Sequence, residues 1–379
     1  MSTYFLSCPR GLEQVTHDQL SQYINDSINI ESGGISFNGG LKEMYSVNLH
    51  SRTGMYLFKQ LYQLKINKAE KLYSIIYQLD WHSLIGTEKT FSIRTKLRSR
   101  LFDHSNYVTL KIKDAIVDKI RKKYSKRPSI NKIDPDISLM ITLIDNQLSI
   151  YLNSTGVPLF KRGYRTQIHK AALNEALAAG IVLLSNWDRK SSFYDIMCGF
   201  GTIPLEAAMI AYNIAPGLYK KDYAFQKWDD YDSKLWNKTW SRAKEKINLD
   251  SNIKIFGSDH INHNINVSTK SAEMLGIEKN IMFCKLDIHQ FNPKDDSGTI
   301  IINPPYGNRM GPNDNIKELY KNLGDIFKTQ CSGYEVFIFT GNLDAAKSIG
   351  LRSKKRIILK NGKIDCRLLY YPISSGKFS

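Results

Sequence analysis

At 379 residues the chain exceeds the size at which a single hydrophobic core stops growing, so two or three domains are expected. Hydrophobic residues at 42% and charged residues at 23% exclude a disordered chain, and 53 Lys and Arg against 36 Asp and Glu leave a net charge of +17 that points to a polyanionic partner. Apolar runs such as 176–184 and 300–302 are shorter than the roughly 20 residues of a bilayer crossing, and residues 1–20 carry no basic start followed by an apolar run. The cysteines Cys8, Cys198, Cys284, Cys331 and Cys366 show no paired C-x-x-C spacing, so neither a disulfide framework nor a zinc site is expected, and the cytoplasm is the expected compartment.

Residues 1–64 mix short apolar runs with the turn pairs Gly33-Gly34 and Gly39-Gly40, the pattern of a small α+β unit with a strand at 35–37. Residues 65–155 read as a second unit. Within it, period 2 over 91–100 puts Arg94, Lys96, Arg98 and Arg100 on one face of a strand and Phe91, Ile93, Thr95 and Leu97 on the other. A helical pattern through Val108, Ile112, Ala115, Ile116 and Ile120 then ends in a basic cluster that includes Lys122 and Lys123. Such a cluster complements the helix dipole and can also meet phosphates. Strands at 137–144 and 147–153, joined by Asp145-Asn146, complete a hairpin. The alternating basic face favours nucleic acid over a merely solvated surface.

Residues 156–379 open with a helix at 171–184 and then alternate helical patterns with strands at 193–197, 254–257, 281–285, 299–302 and 335–340. That alternation predicts an α/β fold, a doubly wound, mostly parallel, Rossmann-like sheet. Strands at 356–359 and 365–371 around Asn361-Gly362 predict a closing antiparallel hairpin.

Chemistry concentrates at the carboxyl ends of these strands. The first runs through Asp195 into Cys198-Gly199-Phe200-Gly201-Thr202, where two glycines let the backbone approach a ligand. Asp259 ends the next strand, placed to accept ribose hydroxyls, and Asp287 follows the third, placed to accept from an adenine amine. No P-loop lysine follows the glycine turn, which disfavours a nucleoside triphosphate and suits an adenosyl sulfonium. At the end of the fourth strand stands Asn303-Pro304-Pro305-Tyr306-Gly307. Prolines donate no hydrogen bond, leaving the Pro304 carbonyl as an acceptor beside the Asn303 side-chain carbonyl, so that one planar amine can donate both hydrogens. Tyr306 offers a ring on which a base can stack.

Together with Lys161-Arg162-Gly163-Tyr164-Arg165, Asn213-Ile214-Ala215-Pro216-Gly217 and Gly257-Ser258-Asp259, these motifs make nearly the whole chain resemble the THUMP-domain branch of Rossmann-fold methyltransferases. The bacterial enzymes that make N2-methylguanine in large-subunit (23S) ribosomal RNA are the nearest in pattern. The resemblance implies a ferredoxin-like piece at 1–64, an RNA-binding THUMP unit at 65–155 and a catalytic domain at 156–379. It implies S-adenosylmethionine as cofactor, held by Asp195, Cys198, Gly199, Gly201, Thr202, Asp259, Asp287 and Asn303. Asn303, Pro304 and Tyr306 are then the catalytic set, with Arg94, Lys96, Arg98, Arg100, Lys122 and Lys123 as RNA contacts and no metal. Ile196 and Phe200 depart from the residues common in the family, Pro and Ser, and Phe200 can alter the pocket wall. The motifs leave open a transfer RNA guanine methyltransferase, a DNA adenine methyltransferase and a non-catalytic RNA-binding module.

Overall fold

The computed structural model describes residues 1–165, 167, 173–306 and 316–374. The front of the molecule is built, in chain order, from β1 (Ser2–Ser7), α1 (Glu13–Leu20), β2 (Ile28–Glu31), β3 (Gly34–Gly39), α2 (Leu41–His50), β4 (Tyr56–Lys65), α3 (Lys71–Gln78), β5 (Phe91–Arg98), α4 (Ser105–Tyr124), β6 (Ile137–Ile144) and β7 (Gln147–Asn153). Its strands form one sheet in the order β2-β3-β1-β4-β7-β6-β5. Sequence reading separates the first two units at 64, yet β4 pairs antiparallel with β1 on one side and β7 on the other. A single ladder therefore runs through both units.

β5 closes one edge of that sheet, parallel to β6. The expected alternation holds. Arg94, Lys96 and Arg98 are exposed, and so is Arg100 just beyond the strand. Ile93, Thr95 and Leu97 turn toward α4, where the Thr95 and Thr109 hydroxyls meet at 2.7 Å. α4 buries Val108, Ile112, Ala115, Ile116 and Ile120 and leaves Lys122 and Lys123 exposed in its last turn. The β6–β7 turn works because Asp145 takes φ 52°, a left-handed conformation that Asp tolerates.

The catalytic-half elements are α5 (Glu175–Leu184), β8 (Ser192–Asp195), α6 (Thr202–Ala211), α7 (Ser233–Glu245), β9 (Ile255–Asp259), α8 (Asn262–Leu275), β10 (Met282–Lys285), β11 (Gly298–Ile302), α9 (Ile316–Gln330), β12 (Tyr334–Thr340), α10 (Leu343–Lys347), β13 (Lys355–Asn361) and β14 (Ile364–Pro372). Sheet order is β10-β9-β8-β11-β12-β14-β13, with β8 to β12 parallel and the last two strands antiparallel. The helix read from 171 begins at 175, and residues 171 and 172 lie outside those described. Asn174 sets that start, because its side-chain oxygen accepts from the amides of Ala176 at 2.9 Å and Leu177 at 3.3 Å.

Two segments lock the halves together. Arg162, 1% exposed, bonds to the backbone oxygens of Ser51, Arg52 and Leu159 and pairs with the fully buried Glu206 of α6 at 3.3 Å, while the Tyr164 hydroxyl donates to Glu206 at 3.0 Å. The run 213–217 leads into a second clasp, in which Tyr223, Phe225 and Trp236 pack on one another and Phe225 and Trp236 meet Tyr45 of α2. Gly217 is required there because a Cβ would lie 2.3 Å from the Tyr223 hydroxyl and 2.8 Å from the Leu49 Cα. These motifs fasten the two halves of the chain to each other.

Candidate functional site

The order of the catalytic sheet reverses at β8: the chain moves outward through β9 and β10, then returns to add β11 on the other side. Open α/β sheets bind ligands in the crevice that such a reversal creates outside the carboxyl ends of the strands. Here that crevice is a cavity of about 620 Å³, lined by Ile196 and Met197 after β8, Asp259 at the end of β9, Asp287 after β10 and Asn303 after β11. Three residues expected from sequence to bind cofactor or base, Asp259, Asp287 and Asn303, thereby line one space from separate strands, and Asp195 ends β8 directly before the lining residues Ile196 and Met197.

Local bonding explains why the glycine turn keeps its shape. Asp259 accepts from the Gly199 amide at 3.0 Å through one oxygen, and from the Ile261 amide at 2.9 Å and the Asn264 side chain at 3.0 Å through the other. Ser268, one turn further along α8, donates to the Gly199 carbonyl at 3.1 Å. Gly201, at φ 76°, caps α6, and a Cβ on it would lie 2.9 Å from Ser268. Asn264 and Ser268 escaped the sequence reading, although their spacing of four on the helix after the acidic strand end was the available signal.

Asp195 is 2% exposed and accepts from the Met197 amide at 3.2 Å. Burial raises its carboxyl well above the ordinary range; the Met197 bond opposes the shift and the nearby Asp259 charge adds to it. A bound cation would relieve that cost. Burial, and then the charges of Asp195 and Asp259, also push the Cys198 thiol up, which makes it a packing group and not a nucleophile. Thr202 begins α6 and accepts from Arg165 at 3.0 Å, so the interdomain segment reaches the glycine turn itself. Phe200 meets His263 edge-on at 6.0 Å and is not part of this cavity's lining.

β11 stops at Ile302, and the two prolines that follow cannot extend the ladder. The Asn303 side-chain oxygen is buried and has no hydrogen-bond partner among the described residues. An acceptor left in that state costs free energy until a donor arrives. Pro304 is buried, Pro305 lines the cavity and Gly307 lies outside the described residues. Tyr306 differs from expectation. Its ring is 1% exposed, edge-on to Phe339 at 6.3 Å, and its hydroxyl accepts from Asn361 at 2.9 Å. The closing hairpin supplies a polar partner and an apolar wall, so the ring faces the core and offers no open face to a base.

Among the described residues no cluster of three His, Cys, Asp or Glu could hold a metal, and no helix is long and apolar enough to cross a membrane. Asp259 and Asp287 can accept from ribose hydroxyls and an adenine amine, Asp195 can take an ammonium, and Ile196 and Ile288 supply apolar contact, which fits an adenosyl-amino acid cofactor.

Residues 162–370 match the RMKL-like methyltransferase domain, 67–153 the THUMP domain and 3–55 the RlmL ferredoxin-like domain. The chain belongs to the RMKL-like methyltransferase family. As a member, it is an S-adenosylmethionine-dependent methyltransferase with a THUMP domain ahead of its catalytic domain. It is 32% identical to "Putative RNA methyltransferase slr0064" of Synechocystis over 98% of this chain and 96% of that one. It is 31% identical to "Ribosomal RNA large subunit methyltransferase K/L" of Syntrophotalea carbinolica over 99% of this chain, yet spans only 54% of that relative. Among solved structures, "SMU.472, a putative methyltransferase complexed with SAH" superposes with a TM-score of 0.88 at 27% identity over 99% of both chains.

Proposed function

We propose that this RMKL-like methyltransferase acts in the cytoplasm and places a methyl group on the exocyclic N2 amine of a guanine in 23S ribosomal RNA. The observation that carries the amine chemistry is the buried Asn303 oxygen on the wall of the cofactor cavity, which has no hydrogen-bond partner among the described residues. S-adenosylmethionine would supply an electrophilic methyl group, its carbon–sulfur bond breaking to leave the neutral thioether S-adenosylhomocysteine while the surplus amine proton passes to water. Asp259 and Asp287 hold its nucleoside, and Asp195 with the turn Cys198, Gly199, Gly201 and Thr202 holds its amino-acid part. Asn303 and the Pro304 carbonyl accept the two amine hydrogens, which orients the nitrogen lone pair and draws the nitrogen toward tetrahedral form. Alignment of that kind can supply roughly 7–11 kcal/mol without a dedicated base. Tyr306 serves as a positioning residue that ties the loop to the closing hairpin. Ribosomal RNA is favoured because the K/L relatives align along 99% of this chain. Purified protein should transfer labelled methyl from S-adenosylmethionine to large-subunit RNA of a deletion strain, with label recovered in N2-methylguanosine. Label recovered only from transfer RNA, or only in methyladenosine, would remove the assignment.

Asp195 should trade stability for cofactor binding. Its raised carboxyl means that the charged form opposes folding, so wild type is least penalised below the ordinary value near 3.8 and loses stability as pH rises toward the raised one. Asp195→Asn keeps the Met197 bond without the charge. At pH 7 its melting temperature should rise, and the gain should fade below about pH 4. Affinity for S-adenosylmethionine should fall about tenfold or more, because the ammonium no longer meets a carboxylate. A melting temperature that drops at pH 7 would contradict the cause assigned to the shift.

Arg94, Lys96, Arg98 and Arg100, with Lys122 and Lys123, form the proposed THUMP contact with RNA phosphates. Neutralising Arg94, Lys96 and Arg98 together should make the salt dependence of RNA binding shallower by about 0.7 per phosphate no longer neutralised if the RNA is single-stranded there. Cofactor affinity should not change. An unaltered salt slope would mark the strand as a solvated surface.

A further inference from the structure

A second cavity, of about 360 Å³, opens between the front sheet's α2 and the catalytic half's α7, and shares no lining residue with the cofactor cavity. Lys42, Ser46 and His50 line it from α2, and Lys238, Arg242 and Lys246 from α7 and its end. No acid lines it. All four cations are exposed, and none forms an ion pair among the described residues. Elsewhere the same two halves meet through matched charges, Lys59 with Asp230 at 3.1 Å and Lys227 with Asp134 at 2.6 Å. At this seam they meet through like charges.

The positive character extends along the helix. Lys234, Lys238, Arg242 and Lys246 recur every four residues, which aligns them on one face of α7 and its cap. Like charges at that spacing repel one another and favour an unwound helix. A rise of about 1.5 Å per residue spaces the cations about 6 Å apart, in a row of about 18 Å. One small anion cannot span such a row, whereas successive phosphates of a nucleic-acid strand can. His50 stands in the same field: burial first, then the Arg52 and Lys246 charges, push its imidazole down to about 4, and its neutral ring stacks on Tyr23 at 4.2 Å.

We propose that the seam between α2 and α7 is a second phosphate-binding site for the RNA substrate, separate from both the THUMP strand and the cofactor cavity. It rests on the reading of RNA as substrate. Lys42, Lys238, Arg242 and Lys246 grip backbone phosphates of a segment distant from the target base, and the two domains close on that segment together.

The test uses the full chain and large-subunit RNA from a deletion strain, with binding measured across a salt series. In the Lys238→Gln/Arg242→Gln/Lys246→Gln variant the slope of log affinity against log salt should become shallower by about 0.7–0.9 for each phosphate no longer neutralised, and affinity near 0.1 M salt should fall roughly tenfold or more. Affinity for S-adenosylmethionine should stay at the wild-type level, and the melting temperature should not fall, since the substitutions relieve the repulsion along α7. A Lys238→Arg/Arg242→Lys/Lys246→Arg variant, which keeps the charge, should retain the wild-type slope. A glutamine variant with wild-type slope and affinity, measured where wild type binds and methylates the RNA, would overturn this site alone. Absence of RNA binding by wild type would overturn it together with the RNA reading.

Discussion

Asn303→Ala should abolish methyl transfer, even at saturating S-adenosylmethionine, while leaving RNA affinity near wild type. The side chain stands after β11 with its oxygen buried and without a hydrogen-bond partner among the described residues, so its removal breaks no hydrogen bond of that oxygen there. Truncation deletes an acceptor whose bond forms when the amine arrives and strengthens as the nitrogen becomes tetrahedral. Interactions made mainly in the transition state appear in turnover and not in binding. Losing the alignment they provide costs about a hundredfold or more. Single-turnover rates with saturating cofactor and RNA check this directly. The variant should also unfold no earlier than wild type, since removing an unsatisfied buried oxygen relieves a cost. A rate within a few-fold of wild type would remove Asn303 from the mechanism.

Arg162→Ala should be the most destabilising single change outside the hydrophobic cores. Arg162 and Glu206 are 1% and 0% exposed, and the guanidinium also bonds to the backbone oxygens of Ser51, Arg52 and Leu159. Removing it leaves the buried Glu206 carboxylate with the Tyr164 hydroxyl and the nearby Arg52 charge but without its paired guanidinium, and takes a donor from three backbone carbonyls. Breaking one side of a buried pair costs about 3–5 kcal/mol, a large share of the roughly 5–15 kcal/mol that holds a typical domain together. Urea titration should show this as a lower midpoint. Because Glu206 lies on α6, directly after the glycine turn, cofactor affinity should weaken as well. The double variant Arg162→Met/Glu206→Leu should recover part of the stability, since it removes both members of the pair, while the Arg52 guanidinium loses the Glu206 charge beside it. A midpoint shift below about 1 kcal/mol in Arg162→Ala would show that the pair contributes little.

Much of this arrangement was legible from residues alone, where local chemistry dictates local structure. The alternating charges of 91–100 become the exposed face of β5 because period 2 admits no other sorting once α4 covers the apolar side. Strand ends carrying Asp195, Asp259, Asp287 and Asn303 converge because a doubly wound sheet places all its carboxyl ends along one edge. Tyr306 was misread for a reason of range. Its motif says only that an aromatic follows two prolines, while the direction of the ring depends on Asn361 and Phe339, which arrive from strands distant in sequence. The roles of Arg162 and Gly217 were likewise hidden, since each touches α2 or the loop after it from more than a hundred residues away. The basic row on α7 was readable as Lys234, Lys238, Arg242 and Lys246, but its meaning depends on Lys42 facing it across the seam.

If the buried acceptor on the cofactor cavity directs methyl transfer to a guanine amine of large-subunit RNA, the modification itself must depend on Asn303. Nucleoside mass spectrometry of ribosomal RNA from a deletion strain, complemented with wild type or with Asn303→Ala, tests this most directly. N2-methylguanosine should fall in the deletion strain, return with wild type and fail to return with Asn303→Ala. Unchanged N2-methylguanosine in the deletion strain, or its full return with Asn303→Ala, would contradict that dependence.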